Sequence, residues 1–407
     1  MPSANTNASD VAADPRRWRM LALLATAELL GMSLWFAASA VSGQLAGRWQ
    51  LSPSETAWLT SSVQLGFVFG TACSAVLNLA DIVPSRRLFA WCAFAGGVAN
   101  TLLLAAPGFG WALLCRLTTG FFLAGVYPPA MKMGSTWFRA QRGLAVGTIV
   151  GALTVGKAGP YLVHAIPGAG EVPVVLSASI SAVVAGVLVL ALYVDGPHAF
   201  PPRPFSWGLV ALVLREPRWR LATGGYLGHM FELYCFWTWI PAFLAASLAA
   251  SGQDLNASSG YVSAASFASI AIGGAGCVWG GLVADRRGRE WLVTLAMAIS
   301  GSCAVLSALV FGGPFAVVVA LALIWGVFVI ADSAQFSVLV TESVPPHAVG
   351  TALTVQTCLG FLLTLVTIQG AASLAAAIGW RWTFPGLALG PAFGIAAIRR
   401  LRALRQA

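Results

Sequence analysis

The chain has 407 residues, of which 58% are hydrophobic and only 9% charged, with a formal net charge of +9. Soluble domains carry roughly 25% charged residues, and a mean hydropathy of +0.80 leaves too little polar surface for a water-soluble globule, so the composition indicates an integral membrane protein. The positive excess does not point to nucleic acid, because the basic residues lie in short stretches between apolar runs.

Residues 1–15 are polar and lack both an apolar core and a small-residue cleavage site, so they read as a short tail and not as a signal peptide. Twelve apolar segments follow, at 20–42, 56–78, 87–106, 109–133, 142–166, 173–195, 219–249, 258–283, 290–311, 314–342, 349–374 and 382–400. Each approaches the ~20 residues needed to cross a hydrocarbon layer. Backbone groups in lipid must be satisfied within the segment, so every span is predicted to be helical. Ahead of the second span, Ser52-Pro53-Ser54-Glu55 combines a cap serine, a proline at the first helical position and a capping-box glutamate. The proline-rich linker at 196–217 is predicted to be extended at its start. The chain thus divides into an N-terminal tail (1–19), a six-helix half (20–195), a linker (196–218), a second six-helix half (219–400) and a C-terminal tail (401–407).

Arginines mark one side of the membrane: Arg16, Arg17 and Arg19; Arg86 and Arg87; Arg139 and Arg142; Arg203, Arg215, Arg218 and Arg220; Arg286, Arg287 and Arg289; and Arg399, Arg400, Arg402 and Arg405. The other side has Arg48 and Arg381. The positive-inside rule places both termini in the cytoplasm, with the chain in the plasma membrane, the inner membrane in a bacterium. The seven cysteines (Cys73, Cys92, Cys115, Cys235, Cys277, Cys303, Cys358) all lie in apolar stretches and read as packing residues, not as disulfides or metal ligands.

The halves repeat. The stretch Gly280-Gly281-Leu282-Val283-Ala284-Asp285-Arg286-Arg287-Gly288-Arg289-Glu290 is a charged, glycine-bounded turn between two spans. Its counterpart, Leu79-Ala80-Asp81-Ile82-Val83-Pro84-Ser85-Arg86-Arg87, lies between the second and third spans and is degenerate. The first stretch resembles the G-x-L-x-D-R-x-G-R-R loop of the major facilitator superfamily. Twelve spans, a central linker and a loop of this kind in each half extend the resemblance over nearly the whole chain. Arg116-Leu117-Thr118-Thr119-Gly120 is similar to the family's R-x-x-x-G element. Gly156-Lys157-Ala158-Gly159-Pro160 is only loosely similar to the G-x-x-x-G-P element of its antiporters, which argues against drug antiport. The resemblance implies an all-α membrane fold of two six-helix halves with a solute site between them. It also implies that the loop residues Asp81, Arg86, Arg87, Asp285, Arg286 and Arg289 form a gating latch.

Charges within spans are expensive, by ~2.5–3.5 kcal/mol on insertion scales. They occur at Glu28, Arg116, Lys157, His229, Glu232 and Asp332. By helical rise, Lys157, Glu232 and Asp332 lie about 18, 20 and 15 Å from the cytoplasmic end, near the midplane. Each charge belongs to a stripe at helical spacing, and these stripes are expected to line a central cavity. The stripes are Glu28, Met32, Trp35 and Ser39; Arg116, Thr119 and Tyr127; Thr154, Lys157, Tyr161 and His164; His229, Glu232, Phe236 and Trp239; and Trp325, Asp332 and Gln335. Lys157 with Arg116 forms either a clamp for a small anion, or Lys157 pairs with Glu28 and leaves no charge for a ligand. Trp35, Tyr127, Tyr161, Trp239 and Gln335 are further candidate contacts. His229 and Glu232 share a helix face and, with Asp332 and Glu28, are candidates for a coupling proton; the alternative is a hydrogen-bonded pair that locks the seventh helix.

The predicted function is secondary transport of a small anion coupled to protons, by a monomer, with the lipid bilayer and the solute as partners and no nucleic acid. Proton-driven efflux of hydrophobic or cationic compounds is the alternative, and a non-transporting receptor a third reading. No nucleotide loop, metal spacing or nucleophile elbow is present, so neither an enzyme nor a cofactor is expected.

Overall fold

The computed structural model describes residues 14–138, 141–198, 206–253 and 255–406, without the side chains of Ala80, Arg142 and residues 255–258. The expected polar tail at 1–13, Arg139 and Arg203, and the proline-rich core of the linker lie outside the described residues. All regular structure among the described residues is helical. Ten helices are long and apolar enough to cross a membrane: Pro53–Val76, Ser85–Ala105, Phe109–Ser135, Gly143–His164, Glu171–Leu192, Pro217–Ala250, Ser259–Arg287, Arg289–Val310, Phe315–Thr341 and Pro346–Ile378. The first and twelfth spans complete the set but are built from shorter pieces. The first runs through Arg16–Gly31, a 3-10 turn at Met32–Leu34, Ala37–Ala40 and Ser42–Trp49. The twelfth runs through Trp380–Thr383, Phe384–Ala388 and Leu389–Gln406. Its last helix continues to Gln406, so residues 401–406 of the expected C-terminal tail are helical.

The second helix begins as its sequence dictates. The Ser52 amide donates to Glu55 Oε2 (2.8 Å), and the Glu55 amide donates to Ser52 Oγ (3.3 Å), closing the capping box. The second part of the linker lies beyond the stretch expected to be extended. Trp207–Arg215 forms a helix whose buried Val213 packs in a cluster with Trp219, Val293, Phe336 and Leu401 beneath the end of the bundle that carries the termini.

Helices approach closely where small residues allow it. A Cβ on Gly66 would run into the Leu117 carbonyl of the fourth helix, and one on Gly280 into the Ala331 carbonyl of the tenth. These are corresponding helix pairs of the two halves. Gly66→Ala is expected to destabilise the protein by about 1–3 kcal/mol through overpacking. Gly350→Ala, where a Cβ meets nothing within 4 Å, is expected to be neutral or mildly stabilising. Thermal unfolding in detergent compares the two, and equal stabilities would remove the packing argument.

The halves meet along two seams. The second helix packs on the eleventh and the fifth on the eighth. At the end opposite the termini, Ser54 Oγ donates to Gln369 Oε1 (3.0 Å), Gln369 Nε2 donates to Ser61 Oγ (3.3 Å), and His164 Nδ1 lies 2.8 Å from Ser263 Oγ. At the termini end the fifth and eighth helices touch through glycine. A Cβ on Gly147 would lie 2.9 Å from the Cys277 carbonyl, and one on Gly281 would lie 3.0 Å from that of Gly143.

Candidate functional site

A cavity of about 80 Å³ lies between the halves. The first, second, fourth and fifth helices contribute Met32 and Trp35, Phe67, Tyr127 and Met131, and Val146, Val150, Leu153 and Lys157. The seventh contributes Tyr226, Met230, Leu233, Tyr234 and Trp237, the tenth Ser333 and Ser337, and the eleventh Gln356 and Phe361. Along the fifth helix the lining runs from Lys157 back to Val146, about 16 Å at 1.5 Å per residue, toward the termini end. Packed rings of Trp35, Phe67, Tyr234 and Phe361 gather beside Lys157, with Phe67 and Phe361 centroids 4.6 Å apart and Trp35 and Tyr234 centroids 5.6 Å apart.

Lys157 is the one charged side chain in this lining among the described residues. It is buried, with 1% of its surface exposed. Its Nζ donates to the Tyr234 hydroxyl and lies 3.8 Å from the ring centroid of Trp35, 4.6 Å from that of Tyr234 and 5.4 Å from that of Trp237. Three ring faces hold the ammonium by cation–π attraction. Of the two roles left open for Lys157, the geometry does not form the ion pair with Glu28. Glu28 is close enough for the charges to interact, yet both of its carboxylate oxygens are buried without a hydrogen-bond partner. The ammonium therefore has no carboxylate in hydrogen-bond contact with it among the described residues.

Arg116 is placed differently from the expected clamp. It is fully buried but outside the cavity lining. Its guanidinium donates to the carbonyls of Leu34 (3.1 Å), Trp35 (2.5 Å) and Leu59 (3.4 Å) and to Asn100 Oδ1 (2.8 Å). The cause is the break in the first helix. There Ser33 Oγ turns to the Leu30 carbonyl (2.6 Å) and reaches that of Ala178 (3.2 Å), and the chain passes through a 3-10 turn. The carbonyls released at the break have no water to meet, so a fixed donor fork takes them. Lys157 and Arg116 are not brought together on one ligand position.

The seventh helix is rotated relative to the expected stripe. Tyr226, Met230, Leu233, Tyr234 and Trp237 face the cavity, whereas His229, Glu232 and Trp239 do not line it. His229 Nδ1 pairs with Asp332 Oδ1 at 2.9 Å. Asp332 stands at the junction of two helical pieces, Phe315–Ala331 and Ser333–Thr341. Glu232 accepts from Ser300 Oγ (2.8 Å) and Trp325 Nε1 (2.7 Å). These groups knit the seventh, ninth and tenth helices inside the second half. Trp239 donates its Nε1 to the Ile368 carbonyl (3.0 Å) and packs on Trp380. Gln335 and Tyr161 are buried outside the lining as well. Of the expected contacts, Trp35, Tyr127 and Lys157 reach the cavity. Met32 lines it as its stripe predicts, whereas Met131, Met230, Tyr234, Trp237 and Gln356 line it outside the expected contacts, although the recurrence of 230, 233, 234 and 237 at i, i+3, i+4 and i+7 on the seventh helix is readable.

The loops at the termini end form separate contacts. In the first half Lys132 Nζ pairs with Asp81 Oδ1 at 2.9 Å. In the second, Arg289 pairs with Glu342 (2.8 Å), and Arg405 pairs with Glu290 (2.8 Å) and Glu342 (3.3 Å). Asp285 crosses between halves. Its carboxylate oxygens would lie 2.9 and 3.2 Å from a Cβ on Gly143, at the start of the fifth helix, where helix-terminal amides favour an anion. Arg86, Arg87 and Arg286 are exposed.

A family model described as Major Facilitator Superfamily matches residues 21–368. Solved structures with the same fold include a bacterial homolog of the human lysosomal transporter Spinster in an inward-facing, unoccupied conformation. It has a TM-score of 0.74 and 13% identity, with 96% of this chain and 98% of that chain covered. The nucleoside transporter NupG, in a mutant form, has a TM-score of 0.69 and 16% identity, with 94% of this chain and 99% of that chain covered. No curated protein matches the sequence. With the family model covering most of its length and two six-helix halves enclosing a cavity, the chain belongs to the Major Facilitator Superfamily.

Proposed function

We propose that this membrane protein is a secondary active transporter that moves a small anionic solute by alternating access, coupled to protons, with both termini in the cytoplasm. The observation that carries the reading is Lys157: a buried ammonium held on ring faces in the wall of the cavity between the halves, with no ion-paired carboxylate. A desolvated charge calls for a counter-charge, and an anionic solute supplies one. The coupling proton is assigned to Glu28, whose carboxylate is buried, unbonded and within electrostatic reach of Lys157. In this scheme, the solute neutralises Lys157 and a proton neutralises Glu28, so the pocket rocks between faces with less charge to desolvate. Glu232 and the His229–Asp332 pair are read as locks within the second half, because their partners are already in place.

The methionine and aromatic lining favours a second reading, efflux of hydrophobic compounds. Cationic compounds fit it poorly, since no acidic side chain lines the cavity among the described residues. The test is uptake of labelled organic anions into proteoliposomes under an imposed pH gradient. Wild-type protein is expected to accumulate anion. Glu28→Gln is expected to keep solute exchange across the membrane while losing accumulation driven by the gradient. Accumulation that ignores the gradient in wild-type protein would remove proton coupling, and uptake of cations in place of anions would remove the anion reading.

A further inference from the structure

We infer that the solute is a short organic monocarboxylate: one carboxylate head on a hydrophobic body, with about five to eight non-hydrogen atoms. This rests on the anion-transport reading above and narrows it to one chemical class.

The head is specified by donors. Besides Lys157, three buried polar atoms of the lining have no hydrogen-bond partner among the described residues: Trp35 Nε1, Trp237 Nε1 and Gln356 Nε2. Trp35 and Trp237 are 0% exposed and Gln356 is 2% exposed. Indole nitrogen is a donor only, and buried N–H groups without acceptors are rare in folded proteins. No side-chain acceptor in the lining is left buried and unpaired in the same way. A wall whose enclosed, unpaired side-chain atoms are donors, with one cation among them, suits an acceptor that carries negative charge. Trp35 and Trp237 are also two of the three rings that face the Lys157 ammonium, so both indoles belong to the wall around the cation.

The count of charges sets the valence. One lysine neutralises one negative charge, and no arginine or second lysine lines the cavity among the described residues. A dicarboxylate, sulfate or phosphate would carry a further charge into a small, largely ring- and methionine-lined space, which is costly without a partner. The remaining wall sets the body. Met32, Phe67, Met131, Met230 and Phe361 present soft apolar surface, which an inorganic ion leaves unfilled and a hydrocarbon covers. Methionine adapts to irregular shapes, so discrimination among short alkyl bodies is expected to be weak. The volume sets the size. A buried water needs about 10–15 Å³ of such space. The cavity of about 80 Å³ therefore holds about five to eight water-sized groups.

The test measures binding by calorimetry and by thermal stabilisation of the purified full chain. The probes are hexanoate, 3-methylbutanoate, hexanamide, hexylamine, adipate and sulfate. Hexanoate and 3-methylbutanoate are expected to bind and stabilise, and the other four to do neither. Lys157→Met is expected to abolish hexanoate binding. Trp35→Phe keeps a ring and removes one donor, and it is expected to weaken hexanoate by about tenfold, the worth of one hydrogen bond to a charged group. Adipate or sulfate binding as tightly as hexanoate, and lost in Lys157→Met, overturns the monocarboxylate class while the anion reading stands. Hexanamide or hexylamine binding as well as hexanoate, or hexanoate binding unaffected by Lys157→Met, overturns both. Failure of all six probes with monodisperse wild-type protein overturns the class, and anion uptake in proteoliposomes then decides the broader reading alone.

Discussion

Replacing Lys157 with methionine is expected to reduce anion uptake by about 100-fold or more, the scale of removing one partner from a buried charged pair, while the protein stays folded. The two halves of that expectation come from the same surroundings. The ammonium gives up cation–π attraction to Trp35, Tyr234 and Trp237 and one hydrogen bond from Nζ to the Tyr234 hydroxyl. Those contacts are worth about 2 kcal/mol when desolvated. Set against them is the cost of keeping a lone charge in a dry site, several kcal/mol by effective estimates. Methionine fills the channel left by the lysine stem with a flexible apolar chain, so thermal unfolding should move little or rise. Lys157→Arg keeps the charge but brings a planar fork to a ring-lined place built for a compact ammonium, and partial activity is expected. Uptake that survives Lys157→Met at wild-type rate would place the solute elsewhere.

The fold was legible because its signals are local. Apolar runs, arginine clusters and the Ser52 capping box each depend on a few adjacent residues, and the helices stand close to the expected spans. The site was legible in one helix and not in its neighbours. A polar stripe says that a face avoids lipid, but a protein of two six-helix halves has two kinds of interior. His229, Glu232 and Trp239 avoid lipid by facing the core of the second half, whereas Tyr226, Met230 and Tyr234 avoid it by facing the cavity. Helical periodicity separates the lipid face from the rest and cannot separate these two. Arg116 was misleading for another reason. Two of its four acceptors are backbone carbonyls freed by a break about eighty residues earlier in the chain, and no side-chain pattern announces them.

The loops show a similar asymmetry. Asp285 reaches across the seam to the start of the fifth helix. Gly350, near the start of the eleventh helix, has open space beside it, while Asp81 pairs with Lys132 within the first half. The seam between the fifth and eighth helices thus has, at the termini end, a carboxylate set beside a helix N-terminus. The exposed pairs at Glu342 and Arg405 each contribute about 0–1 kcal/mol, so they bias the second half's own loops more than they hold the halves together.

Arg116→Leu is expected to have the opposite profile to Lys157→Met, with loss of folded protein ahead of any specific loss of transport. The guanidinium joins four acceptors from three elements: Leu34 and Trp35 at the break in the first helix, Leu59 in the second, and Asn100 in the third. Leucine leaves all four without that donor. The Leu59 carbonyl keeps its partner within the second helix, and each of the other three buried acceptors left unpaired costs about 1–3 kcal/mol, which together reach into the 5–15 kcal/mol that holds a typical domain folded. Removing the charge recovers some desolvation energy, yet the carbonyls at the break stay in place because Ser33 and the 3-10 turn still direct the chain away from a regular helix. Arg116→Lys supplies three donors from one point, too few and too compact for four acceptors, so an intermediate loss is expected. The checks are the yield of monodisperse protein in detergent and its unfolding temperature, read beside hexanoate binding. A well-folded Arg116→Leu protein that no longer binds anion would return Arg116 to the solute clamp, and the break in the first helix would then need another partner.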